Sequence, residues 1–172
     1  MAQTELHNYS VQEKLNKMDV DLIDVTLTTA IGTINDDYVV SSAIEIPNAV
    51  AVNGGTAIIQ SILLYNDDNS VESPGLELIF AQQDTDIGTI DAAITMEDVD
   101  AIGNILGSTT VTNWSIMKAG DHEFAVKSNI GLVVKAASGT TSIYAHVINR
   151  SGGNYTPSST TALTARIGIV KD

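Results

Sequence analysis

The residues that could do chemistry in this chain are few and scattered. Its histidines are His7, His122 and His146, and none lies at metal-ligand spacing from another histidine or a carboxylate. The sequence contains neither the Gly-x-Ser-x-Gly elbow of a serine nucleophile nor a glycine-rich phosphate loop. Because the chain has no cysteine, thiolate catalysis, disulfides and cysteine-based zinc sites are excluded. We therefore predict a protein that is not an enzyme.

Clustered acidic residues are the remaining candidates for binding a ligand. Oxygen-rich groups occur at residues 36–37, 67–69 and 84–86. None has the spacing of the twelve-residue calcium loop, and Asp and Asn also favour turns for backbone reasons alone. We interpret the three groups as turns, and predict neither a metal nor a cofactor.

The charge of the chain is distributed unevenly along it. The formal net charge is −13, and residues 18–117 hold sixteen of the 21 acidic residues without a single Lys or Arg. Residues 118–172 carry six basic residues against three acidic ones. An acidic middle repels phosphate, so we predict no nucleic-acid partner. It either keeps the protein soluble or faces Lys118, Lys127 and Lys135 of a neighbouring subunit, which we take as candidate contact residues.

No targeting or membrane segment is expected. No apolar run approaches the roughly 18 residues that a transmembrane helix needs. The first residues lack the basic and apolar regions of a secretory signal. These features predict synthesis in a cytosol and no membrane partner.

The first twenty residues differ in pattern from the rest. They contain the mixed-charge stretch 11–18, in which Val11, Leu15 and Met18 recur at helical spacing. A helix this short is marginal in water on its own. We therefore predict an N-terminal arm over residues 1–20 that contacts a neighbour through these apolar residues, followed by one folded domain over residues 21–172.

Short β-branched runs separated by turn residues fill the remainder. The run Ile58 to Tyr65 is apolar on both faces, which predicts a central strand or one whose outer side another subunit covers. Residues 162–170 alternate most regularly. Further strands are predicted at 76–80, 110–117, 123–127, 131–136 and 141–148. Many short strands without crossover helices indicate an all-β, antiparallel, jelly-roll-like sandwich.

One short helix is predicted at about residues 95–106. Thr95 suits the N-cap and Glu97 adds negative charge to the first turn, while Gly107 would end the helix. We expect this helix to plug one end of the sandwich.

Several segments resemble small virion proteins of tailed phages from aquatic bacteria. They are IPNAVAVNGGT at 46–56, GNILG at 103–107, KSNIGLVVKA at 127–136, TSIY at 141–144, and the stretch from Arg150 to Tyr155. Together they span roughly residues 40–156. They are turns and strand edges, so the resemblance carries no catalytic residues over to this chain.

The resemblance implies a capsid decoration or cement protein that binds the major capsid protein. It further implies a homo-oligomer, with a trimer favoured, on the exterior of a virion assembled in a bacterial host. The alternatives are a phage tail, fibre or receptor-recognition module, or a carbohydrate-binding β-sandwich.

Overall fold

The computed structural model describes residues 19–68, 72–97, 99, 103–118 and 122–171. Over these residues the chain forms two antiparallel sheets packed as a sandwich. The five-stranded sheet has the order β1-β9-β3-β7-β6, comprising Asp19–Leu27, Leu163–Lys171, Thr56–Asn66, His122–Lys135 and Trp114–Lys118. The four-stranded sheet has the order β2-β8-β4-β5, comprising Val39–Ile46, Ile143–Asn149, Leu76–Ala81 and Ile105–Val111. No described helix is long and apolar enough to cross a membrane.

The strand order confirms the predicted jelly-roll-like sandwich. Without β6, the sheets read β1-β9-β3-β7 and β2-β8-β4-β5. Most connections therefore cross from one sheet to the other, as in two interlocked Greek keys. Strand β6 is an addition at the edge beside β7.

Alternation along the strands builds the core between the sheets. In β9, Leu163, Ala165, Ile167 and Ile169 are buried, whereas Arg166 is exposed. Inward residues of both sheets form one continuous apolar cluster. The predicted two-residue period of this strand is therefore confirmed.

Some strand boundaries differ from those predicted. The run expected at 110–117 is split between β5 and β6, with Thr112 and Asn113 outside both strands. The two runs expected at 123–127 and 131–136 are instead one strand, β7. Strand β1 begins at Asp19, two residues before the predicted start of the domain.

The predicted helix at 95–106 lies partly outside the described residues. Within them, Val99, Gly103 and Asn104 are helical, while residues 95–97 are not. The helical backbone ends before Ile105, because Ile105–Val111 pairs with β4. Gly107 is therefore a strand residue opposite Phe80 and not a helix stop.

The long β4–β5 connection covers the outer face of the four-stranded sheet. Ile87 in this connection is buried against Val39, Ile79 and Ile148. Ile94 and Met96 pack on the same small cluster. The connection therefore covers a sheet face, where the sequence had suggested a plug at one end.

Candidate interaction surface

The side of the five-stranded sheet turned away from the core carries ten apolar residues beside Asp24, Arg166, Lys135 and several threonines. Strand register fixes its composition, because Leu63 pairs with exposed Arg166 and with Val126, and Ile58 pairs with Val170 and Val133. We call this side the outer face; its apolar residues are Val20, Leu22, Ile58, Leu63, Tyr65, Met117, Phe124, Val126, Val133 and Val170.

The apolar side chains at the borders of this face are strongly exposed. Val20 is 67% exposed, Leu22 is 66% and Val133 is 61%. Large contiguous apolar patches are uncommon on proteins that act alone in water. The outer face is therefore the strongest candidate for an interaction surface.

A shallow hollow of about 470 Å³ lies within the outer face. Its apolar lining is Leu63, Tyr65, Phe124 and Met117. Its polar lining comes from β1 and β9. This volume lies within the range of about 300–1,000 Å³ typical of ligand pockets.

The charged lining of the hollow is already paired. Arg166 donates from Nε and Nη2 to the two carboxylate oxygens of Asp24, at 2.7 and 2.9 Å. This hydrogen bonding lowers the pKa of Asp24. The two charges balance each other, and the rest of the hollow's lining is mostly apolar. The hollow suits an apolar side chain better than a sugar, whose hydroxyls all need partners.

The candidate contact residues from the sequence are only partly located. Val11, Leu15 and Met18 lie outside the described residues. Lys118 ends β6. Its side chain is not described. Lys127 and Lys135 are both exposed on β7.

The fold brings the acidic and basic halves of the sequence together within one chain. Arg166 pairs with Asp24, and Lys171 with Asp21. Arg150 contacts Asp37 and lies 2.8 Å from Glu77. These contacts raise the pKa of Arg150, while Glu77 keeps a lowered pKa because hydrogen bonds outweigh its partial burial.

The acidic turns are tied to the chain's own groups. Asp36 accepts from the backbone of Gly152 at 3.0 Å, Asp68 accepts from Ser158, and Asp86 accepts from the backbone of Gly88 at 2.8 Å. In the described residues no three His, Asp or Glu side chains converge as metal ligands.

The two described histidines have different environments. Nδ1 of His122 lies 2.6 Å from Asp67 Oδ1, and its ring is tilted against Tyr65 with centroids 6.2 Å apart. His146 lies on β8 and is fully buried, and neither ring nitrogen has a hydrogen-bond partner among the described residues. Burial lowers the pKa of His146, although Asp84 and Asp86 act in the opposite direction.

Sequence reasoning gave no role to Glu123, which is fully buried. Its carboxylate accepts from Asn66 Nδ2 at 3.0 Å, from the backbone of Ser73 at 3.1 Å and from the hydroxyl of Ser73 at 2.9 Å. Trp114 donates to the carbonyl of Pro74 beside it. Glu123 therefore anchors the β3–β4 connection, a structural role that its sequence neighbourhood did not indicate.

No protein-family model matches the chain, and no curated protein sequence matches it. The resemblance to phage virion proteins therefore stays a prediction, resting on the segments quoted above.

Proposed function

We propose that the chain is a non-enzymatic structural protein of a tailed-phage virion, acting as a capsid decoration or cement protein. The observation that carries this proposal is the outer face of the five-stranded sheet. A protein that works by assembly needs an exposed apolar contact surface, and this face supplies one.

The fold is compatible with this role but does not select it. Jelly rolls occur in viral coat proteins and lectins alike, so function has to be argued from the surface. The apolar hollow, with Asp24 and Arg166 paired to each other, favours a protein contact over a carbohydrate site. The resemblance of the turn segments to phage virion proteins supplies the virion context.

The proposal is tested by locating the protein on particles. An antibody raised against the purified chain is applied to virions from a lysate of the host, followed by negative-stain imaging. We expect label over the capsid. Label confined to the tail would assign the chain to the tail or fibre class, and unlabelled particles from a lysate that contains the protein would refute a virion role.

A matched glycan-binding assay separates the carbohydrate alternative. Binding of a defined glycan that is lost in Tyr65→Ala and Phe124→Ala, with both variants still folded, would replace the capsid proposal by a lectin function. We expect no such binding.

A further inference from the structure

Within its described residues, the chain covers the solvent side of the four-stranded sheet but not the outer face of the five-stranded sheet. Its own β4–β5 connection buries Val39, Ile79 and Ile148 on one side. On the other side, no described residue covers Leu22 or Val133, which are 66% and 61% exposed. We infer that the outer face is covered by a second copy of this chain, packed face to face on the same surface. This inference rests on the proposed function only in treating the outer face as an assembly surface.

The sheet is large enough for such a contact. Five strands about 4.8 Å apart, each of roughly nine residues rising about 3.3 Å, span about 24 by 30 Å. The sheet face then measures about 700 Å² per copy, or about 1,400 Å² for two copies. That value lies within the roughly 1,200–2,000 Å² of a standard specific interface.

Charge also favours a second copy. A chain of net charge −13 repels its own kind unless its acidic groups lie away from the contact. The strands of the five-stranded sheet carry five basic and four acidic residues, so the remainder of the chain bears the net acidity. Since Asp24 is paired with Arg166, and Glu123 is buried on the inner side, the outer face itself presents little unbalanced negative charge.

The shape of the outer face suits pairing by two-fold symmetry. A two-fold contact uses the same surface on both copies, so that surface must contain its own complement. The outer face contains both exposed apolar side chains, such as Val20 and Leu22, and the hollow lined by Leu63 and Phe124. In such a dimer the five-stranded sheets of the two copies would pack face to face, as the two sheets within one sandwich do.

The test compares two double variants that add the same charge. Leu22→Lys with Val133→Lys alters the outer face. Ile31→Lys with Val52→Lys alters loop positions that are 66% and 64% exposed and lie outside it. Masses of the wild type and both variants are measured by sedimentation velocity from about 1 to 100 µM, with circular dichroism to confirm folding.

We expect the wild type and the loop variant to sediment at twice the 18.1 kDa chain mass. The face variant should have a dissociation constant at least about 100-fold higher, because four lysines per dimer would be buried or would separate the sheets. A folded wild type that stays monomeric at about 100 µM, or a face variant as strongly dimeric as the loop variant, would overturn the inference.

A further variant lacking residues 1–18 identifies a competing occupant. If the wild type is monomeric and this deletion variant dimerises, residues 1–18 cover the face and the second copy is ruled out. The virion assay is independent of this result. Capsid labelling by a monomeric protein would refute the dimer alone, whereas a dimer that labels no particles would refute the virion role alone.

Discussion

Replacing His146 by leucine is expected to stabilise the protein. The imidazole of His146 is fully buried, and neither nitrogen has a hydrogen-bond partner among the described residues. Each buried, unsatisfied polar group costs about 1–3 kcal/mol. Leucine removes both groups but fits the space imperfectly, which offsets up to about 1.5 kcal/mol. The two groups together cost about 2–6 kcal/mol, so we expect the free energy of unfolding to rise by about 0.5–6 kcal/mol.

The pH dependence gives this prediction a second readout. Burial lowers the folded-state pKa of His146 below its ordinary value of 6.5. Between the two pKa values the unfolded chain binds a proton that the folded chain does not. The wild type therefore loses stability as the pH falls below about 6.5, by at most about 1.4 kcal/mol per pH unit, until the folded pKa is reached. The His146→Leu variant lacks this loss, so its advantage should grow on acidification.

Urea unfolding at fixed protein concentration measures both effects, provided that the m-value is unchanged. His122→Leu is the control, because this side chain is 33% exposed and lies against Asp67, so its removal should not stabilise. A His146→Leu variant less stable than the wild type by about 1 kcal/mol or more, with an unchanged m-value, would refute the reasoning. The imidazole would then contribute more to the free energy of unfolding than a packed apolar side chain does.

Four further perturbations test the structural account. Glu123→Ala should lower the free energy of unfolding in urea by about 2–4 kcal/mol, because hydrogen bonds to a buried charged group contribute about 1.5–3 kcal/mol. Glu123→Gln retains one acceptor oxygen and should therefore lose less stability. Gly75→Ala should destabilise by about 1–3 kcal/mol, since a Cβ there would lie 2.7 Å from the carbonyl oxygen of Arg150. Gly153→Ala is the control: its Cβ would meet no atom within 4 Å, so this variant should be nearly neutral. Tyr155→Phe should be neutral or should stabilise by up to about 1 kcal/mol. The buried hydroxyl has no hydrogen-bond partner among the described groups, and its pKa is raised by burial and by nearby carboxylates. A marked loss of stability would show that the hydroxyl is hydrogen-bonded. Deletion of residues 1–18 should leave the thermal midpoint nearly unchanged, and failure of that variant to fold would place the segment in the core.

The strand pattern was predictable where side chains alone decide it. In β9, apolar and polar residues alternate from Leu163 to Ile169, and all four apolar residues of that stretch are buried whereas Arg166 is exposed. The run Ile58 to Tyr65 was expected to be central because it is apolar on both faces, and β3 does occupy the middle of the five-stranded sheet. These patterns predict strands reliably because alternate side chains of a strand point to opposite faces, and one of the two faces packs on the core.

The errors arose where backbone conformation overrides composition. Residues 128–131 contain Asn129 and Gly131 and resemble a turn, so one strand was divided into two. Both residues have positive φ, of 57° and 67°, but they form an irregularity within β7 opposite β3. The apolar run in β3 indicated that an outer apolar surface exists. The hollow within it could not be predicted, because Asp24, Phe124 and Arg166 are brought together only by the order of the strands.

The uneven charge of the sequence acquires a different meaning once the strands are ordered. Read along the chain, an acidic middle and a basic end suggest polarity between subunits. The jelly roll, however, places β1 and β3 from the acidic half beside β9 and β7 from the basic half. Arg150, Arg166 and Lys171 consequently find carboxylates in their own chain, while Lys127 and Lys135 form no ion pair among the described residues. Three of the basic residues in 118–172 are therefore paired within one chain, and the apolar outer face is left as the stronger basis for contact with another molecule.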